Sequence, residues 1–266
     1  MKDKPIVLNG VGKAFINSVV NGKKQRVPLG TLQDMKLTFN GSSEKVYGGD
    51  TVSPIAIIDK DQDITAAFTE ARFGLAYLNL VRGADLSDSG KCVFDVGPDL
   101  VASGTSYTVP GTLTGIDPES VSAVISDDAE GFNNVKVLNY KATEPGDGEF
   151  TITASGVVTL GAAVTNKYIS VSGLYSNAGA SSAVITSASL PDYVEIHHKS
   201  MPMKQDDGSK IIFHTVIYKA RSTGKLTVDF KRQAAATPEL EFDVIDPHRQ
   251  DGAIITVTRE EIRKGM

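Results

Sequence analysis

The chain has 266 residues, 41% of them hydrophobic and 22% charged. That supports the cores of one or two modest domains and excludes wholesale disorder. The net charge of −5 and a pI near 5.4 exclude a strongly basic nucleic-acid groove, which needs clustered Lys and Arg to displace counterions. Val, Ile, Thr, Ser and Gly dominate the composition, favouring strands and turns over helices.

Residues 5–20 read as a strand, a Gly-containing turn (Asn9-Gly10-Val11-Gly12) and a second strand from Ala14 to Val20. Asn21-Gly22 is a hairpin signal, and the adjoining Lys23-Lys24-Gln25-Arg26 reads as a solvated hairpin tip. Leu32 to Phe39 alternates as a strand, with Asn40-Gly41 expected to end it. A polar, turn-rich loop is expected over Gly41 to Gln62. Its apolar end, Ile55 to Ile58, follows Pro54, a residue confined to edges and extended loops.

Ile64 to Phe68 reads as a strand. From Ala71 to Val81 the period changes: Phe73, Ala76, Tyr77, Leu80 and Val81 share one helical face, Gly83 is a stop, and Thr69 with Glu70 supplies an expected N-cap. After a short strand at Cys92 to Val96, six short strands are expected at 106–109, 122–126, 135–140, 150–153, 157–160 and 168–174. Turn signals such as Asp117-Pro118 and Pro145-Gly146-Asp147-Gly148 separate them, a spacing that suggests a small β-sandwich. A small-residue linker spans 176–183. Further strands follow at 193–198, 211–220, 225–230, 240–244 and 254–257, with Ser222-Thr223-Gly224 as a turn and a charged tail from Arg259. The expected organisation is a discontinuous domain, 1–100 and 185–266, carrying an inserted module over 101–184.

Chemistry is sparse. Asp59, Asp61, Asp63 and Glu70 fall at positions 1, 3, 5 and 12 of a calcium-loop template, but Ile64 occupies the position that needs Gly. His197 and His198 are adjacent on a strand, so alternation points them to opposite faces and they cannot grip one metal. His214 and His248 stand apart. The single cysteine, Cys92, lies in an apolar run and is expected to be a buried, inert thiol. No nucleophile elbow and no phosphate loop is present. The expectation is a non-enzyme with no cofactor and no metal. No apolar run of about 18 residues exists to form a membrane helix. The start Met1-Lys2-Asp3-Lys4-Pro5 does not read as a signal peptide, so the chain is expected to be made in a cytoplasm and kept there until it assembles.

The outer blocks resemble the tail tube (major tail) proteins of bacteriophages. The resemblance is carried by Leu29-Gly30-Thr31-Leu32-Gln33-Asp34-Met35-Lys36-Leu37, by Gly48-Gly49-Asp50-Thr51-Val52-Ser53-Pro54, and by the strand and helix that follow in order. Lys219-Ala220, Leu226 to Phe230 and Thr237 to Val244 add to it near the C-terminus, as does Gly148 to Thr153 in the middle. It implies a β-sandwich or barrel flanked by one helix, with the inserted module, Ig-like, on the outside. It also implies a virion subunit that forms stacked hexameric rings through which double-stranded DNA passes without specific binding. Terminator, baseplate, tape measure and, in some tails, sheath proteins would be its other partners. The candidate inter-ring arm is Val52, Ile55, Ile57 and Ile58; the candidate inter-subunit helix presents Phe73, Tyr77 and Leu80. Another virion or baseplate protein, and a cell-surface Ig-like binding protein, are the alternatives.

Overall fold

The computed structural model describes residues 10–20, 23–49, 52–111, 113–205, 209–228, 232 and 237–262. The fold is mainly β, with one α-helix among the described residues. The chain divides into two compact units, one of residues 1–86 with 183–266 and the other of 87–182.

The first unit is built on a nine-stranded sheet. Its strands are β1 (Lys13–Val20), β2 (Lys23–Leu29), β3 (Leu32–Val46), β4 (Ala56–Glu70), β12 (Tyr193–Lys199), β13 (Met203–Lys204), β14 (Lys210–Thr227), β15 (Glu239–Val244) and β16 (Ile255–Ile262). The main path runs β2-β1-β12-β14-β15-β4-β3. Strand β14 is the spine. One of its edges takes β13 and β12, and the other takes β16 along its first half and β15 along its second. Ser222-Thr223-Gly224 therefore does not separate two strands. It is an irregularity inside β14, where the register against β15 shifts between Ser222 and Leu226. Val20 pairs with Lys23, closing a two-residue connection; Asn21 and Gly22 themselves lie outside the described residues.

Alternation places Ile16, Val27, Leu29, Phe68, Ile196, Ile217, Leu240 and Phe242 on one buried face. Each such side chain contributes about 1.5–3 kcal/mol when removed from water. The helix α1 (Leu75–Arg82) covers that face with Tyr77, Leu80 and Val81. It begins later than the periodicity suggests and has no side-chain cap: Gly74 is the N-cap. Thr69 and Glu70 are unavailable for capping because they pair in β4, with Glu239 and Leu32 respectively. Gly83 does end the helix, in the left-handed conformation at φ 66°, its N–H donating to the Asn79 carbonyl.

The second unit contains β6 (Gly90–Thr108), β7 (Ile116–Ser126), β8 (Lys136–Tyr140), β9 (Glu149–Ile152) and β10 (Val157–Asn177). Residues 87–100, expected in the outer blocks, belong here because β6 pairs with β10 from Gly90 onward. The expected strands at 157–160 and 168–174 are both parts of β10, and Asp117-Pro118 lies within β7. The order is β6-β10-β7-β8-β9, with β9 also pairing with the start of β10. The sheet thus curls onto β10 and closes around its own core, including Phe150, Val158, Ile169 and Val171. It is one closing sheet rather than the two facing sheets of an Ig-like sandwich. Bending is concentrated near Gly161, where the register against β6 shifts and the Gly146 carbonyl leaves no space for a side chain. The short strands β5 (Asp85–Ser87) and β11 (Ser182–Val184) pair with each other.

Candidate functional site

The most distinctive feature of the first unit is the β3–β4 hairpin. Both strands are 15 residues long and are paired from Leu32↔Glu70 to Val46↔Ala56. Strand β15 accompanies β4 only from Thr65 to Thr69. Beyond that point the hairpin is a two-stranded ribbon with no further partner strand, and every residue from Phe39 to Lys45 and from Ala56 to Asp63 is exposed. The expected loop over 41–62 is therefore mostly strand. Asn40-Gly41 does not end β3, because the ladder continues through Asn40↔Asp63 and Gly41↔Gln62.

A bulge decides which side chains share a face. The register jumps from Ser42↔Asp61 to Ser43↔Asp59, leaving Lys60 as the extra residue. Cross-strand partners share a face, so the face that carries Met35, Leu37 and Phe68 at the base continues outward through Phe39, Ile57 and Ile55. Phe39, Ile57 and Ile55 are 64%, 62% and 66% exposed. Ile55 also lies over Gly48, which has no side chain to obstruct it. The core face of the sheet thus runs out along the arm, where Gln62, Ser43, Asp59 and Lys45 share it with Phe39, Ile57 and Ile55, and no other described strand covers it. The opposite face is polar: Asp61 accepts from the Ser42 hydroxyl at 3.3 Å, Glu44 pairs with Lys60 at 2.7 Å, and Asp63 lies beside them.

Of the arm residues singled out from sequence, Ile55 and Ile57 share the apolar face, Ile58 faces the other way beside Glu44, and Val52 sits in the connection, 96% exposed. Phe39 was missed, although the spacing Met35, Leu37, Phe39 carries it. The helix set divides differently. Tyr77 and Leu80 are buried in the chain's own core and are not available to a second subunit. Phe73 precedes the helix, is partly exposed, and meets Tyr77 edge-on with ring centres 6.4 Å apart.

The acidic series Asp59 to Glu70 does not wrap a cation. It lies along one extended strand with Asp59 and Asp61 on opposite faces, and Glu70 is buried at the base. The Glu70 Oε1 accepts from the Thr31 backbone N–H at 2.8 Å and from the Thr31 hydroxyl, tying the β2–β3 connection to the end of β4. The two adjacent histidines separate as alternation requires. His197 stacks on Phe15 (4.7 Å, 12°) and meets Glu195 at 2.7 Å, whereas His198 Nε2 lies 2.5 Å from the Val11 carbonyl. Burial holds the His198 imidazole below its ordinary value. Cys92 is half-buried rather than fully buried. Among the described residues no group of three His, Cys, Asp or Glu side chains is placed to hold a metal, and no helix is long and apolar enough to cross a membrane.

The sheet also ends in two open edges, β2 and β3. Pro28 sits within β2 opposite Phe15, a position an edge strand tolerates. Among the described residues β2 and β3 each keep an edge without a partner strand, and the ribbon face with Phe39, Ile57 and Ile55 is uncovered. These are features of a subunit that assembles. No curated protein matches the chain. The model of the YomU/Tube protein family matches residues 7–257. The chain therefore belongs to the YomU/Tube protein family, in keeping with the resemblance to phage tail tube proteins carried by its outer blocks.

Proposed function

We propose that the protein is the structural subunit of a bacteriophage tail tube, assembling into hexameric rings that stack into a tube and conduct DNA to the host. The observation that carries this reading is the β3–β4 arm, whose apolar face continues the core face of the sheet into solvent. An apolar ribbon of this kind needs a covering surface, and a neighbouring ring supplies one. Ring closure through the free edges of β2 and β3 removes the exposed ladders and makes a continuous barrel around a channel. The net charge of −5 suits a conduit, since an acidic protein as a whole repels the phosphates that slide past it. The unit of residues 87–182 lies on the outside of the tube in this reading, and terminator, baseplate and tape measure proteins meet the tube at its ends and lumen. Assembly takes place in the host cytoplasm.

Negative-stain electron microscopy of the purified protein tests the proposal. Rings or tubes with a central channel are expected. Strictly monomeric particles at every protein and salt concentration would overturn it.

A further inference from the structure

The face of the nine-stranded sheet away from the core carries an unusual set of cations. Arg26 lies over the Phe15 ring at 3.8 Å, and Phe15 stacks in turn on His197. Lys219 and Arg221 lie over Tyr193 at 4.5 and 5.7 Å. The register of β12 against β14 shifts between Val194 and Ile196, and this irregularity brings both Tyr218 and Lys219 to a shared cavity with Arg26, Asn17, Tyr193 and Glu195. The cavity holds about 510 Å³. Arg249 stacks on Tyr218 at 4.0 Å but is neutralised by Asp251 at 2.9 Å. Arg26, Lys219 and Arg221 form no ion pair among the described residues; the Arg221 Nε donates to the Pro191 carbonyl at 3.1 Å. Glu195 is the carboxylate in the cavity, and it is engaged with His197.

Aromatic faces hold cationic heads in place without cancelling their charge. The result is a pre-positioned, net positive shelf on a protein whose overall charge is negative. An anionic group of matching shape is what such a shelf recognises. The same chain offers one: Asp61 and Asp63 share the polar face of the β3–β4 arm, both are exposed, and neither forms a salt bridge among the described residues. Asp243 stands opposite Arg221 on β14 and opposite Thr65 on β4, and burial first, then the repulsion of Glu241 and Asp63, hold its carboxyl above the ordinary value. A patch meeting a different patch of an identical molecule is the head-to-tail geometry that builds rings and filaments.

We propose that the cation–aromatic shelf around Arg26, Lys219 and Tyr193 is the docking site for the acidic face of the arm, at Asp61 and Asp63, of a neighbouring copy of this chain. The proposal rests on the tube reading above and adds to it the surface that receives the arm. The apolar face, with Phe39 and Ile57, remains free to be covered separately.

The test is charge reversal with exchange. The full-length variants Arg26→Glu/Lys219→Glu and Asp61→Lys/Asp63→Lys are each expected to form at least tenfold less sedimentable tube than wild type, with unchanged circular dichroism. Mixing the two variants restores assembly, because each reversed shelf then meets a reversed arm. The neutral pair Arg26→Gln/Lys219→Gln, which disturbs the sheet less, is expected to weaken assembly and to flatten its salt dependence. Wild-type-like tubes from either charge-reversed variant alone, or no recovery on mixing the folded variants, overturn the docking site while leaving the tube reading standing. Wild-type protein that never leaves the monomer overturns both. Salt-dependent binding of duplex DNA that is lost in Arg26→Glu/Lys219→Glu, with tubes intact, assigns the shelf to nucleic acid and overturns the proposal.

Discussion

Glu70 shows how much a single buried carboxyl can organise. It occupies the core face of β4, fully buried, and one of its oxygens anchors both the N–H and the hydroxyl of Thr31. Burial, and secondarily the nearby Glu70, push the Tyr77 phenol up from 10.0 to about 12. The fold therefore favours the neutral phenol. Its contribution to stability is whole below pH 10 and is lost as pH rises from 10 towards 12, a difference on the order of 2 kcal/mol. Absorbance titration of tyrosinate should show two late-ionising residues, Tyr77 and Tyr107, the latter held up by burial and its hydrogen bond to Asp99. The late phase should shrink by one residue in Tyr77→Phe, and the Tyr77 step should move part of the way back in Glu70→Gln. A Tyr77→Phe protein with an unchanged late phase would contradict this assignment. Gly83 is a second decisive residue: its φ of 66° disfavours any side chain, and a methyl group there would overlap the Leu190 carbonyl. Gly83→Ala is expected to lower stability by more than the ~1 kcal/mol of a simple left-handed penalty, measured by urea unfolding. Gly83 was legible in the sequence because helix punctuation is local. Glu70 was not: beside an expected helix it reads as a first-turn acid, and only the long-range pairing of β4 places it in the core.

At the scale of elements, the sequence showed where apolar alternation occurs but not how long each strand runs. Asn40-Gly41, Asp117-Pro118 and Ser222-Thr223-Gly224 all resemble turns, and all three lie inside strands. Turn chemistry is a local preference, and a partner strand that continues past it outweighs the preference. In β3 that partner is the other half of the same hairpin, so the candidate arm read as a loop when it is a paired ribbon. The bulge at Lys60 was equally hidden, although it decides that Ile57, rather than Ile58, continues the core face. This gives a paired prediction. Ile57→Asp should abolish tube formation while leaving the thermal midpoint of the monomer nearly unchanged, because an exposed side chain contributes within about 0.5 kcal/mol. Ile58→Asp, one residue away on the polar face, should still assemble. Equal effects of the two substitutions in a sedimentation assay would refute the two-faced arm.

At the scale of the whole molecule, the second unit spans residues 87–182, and its closing sheet leaves no local signal in the sequence. The return of β9 to β10 depends on the register shift near Gly161 and on a parallel β8–β9 pair, neither of which leaves a local sequence signal. The unit has its own core, separate from that of the first. The chain enters and leaves it through β5 and β11, which pair with each other, so its two ends are neighbours. A segment with a private core and adjacent ends is tolerated as an insertion and can be removed as one. Replacing residues 88–181 with a short Gly-Ser linker should leave the first unit folded. Because the arm, the shelf and the open edges all belong to that unit, the shortened protein should form tubes with the wild-type axial repeat and a smaller outer diameter. Segment 87–182 expressed alone should unfold cooperatively in urea. A shortened protein that is folded yet assembles into nothing would show that the second unit takes part in assembly, and the function of the chain would then have to be divided between both cores.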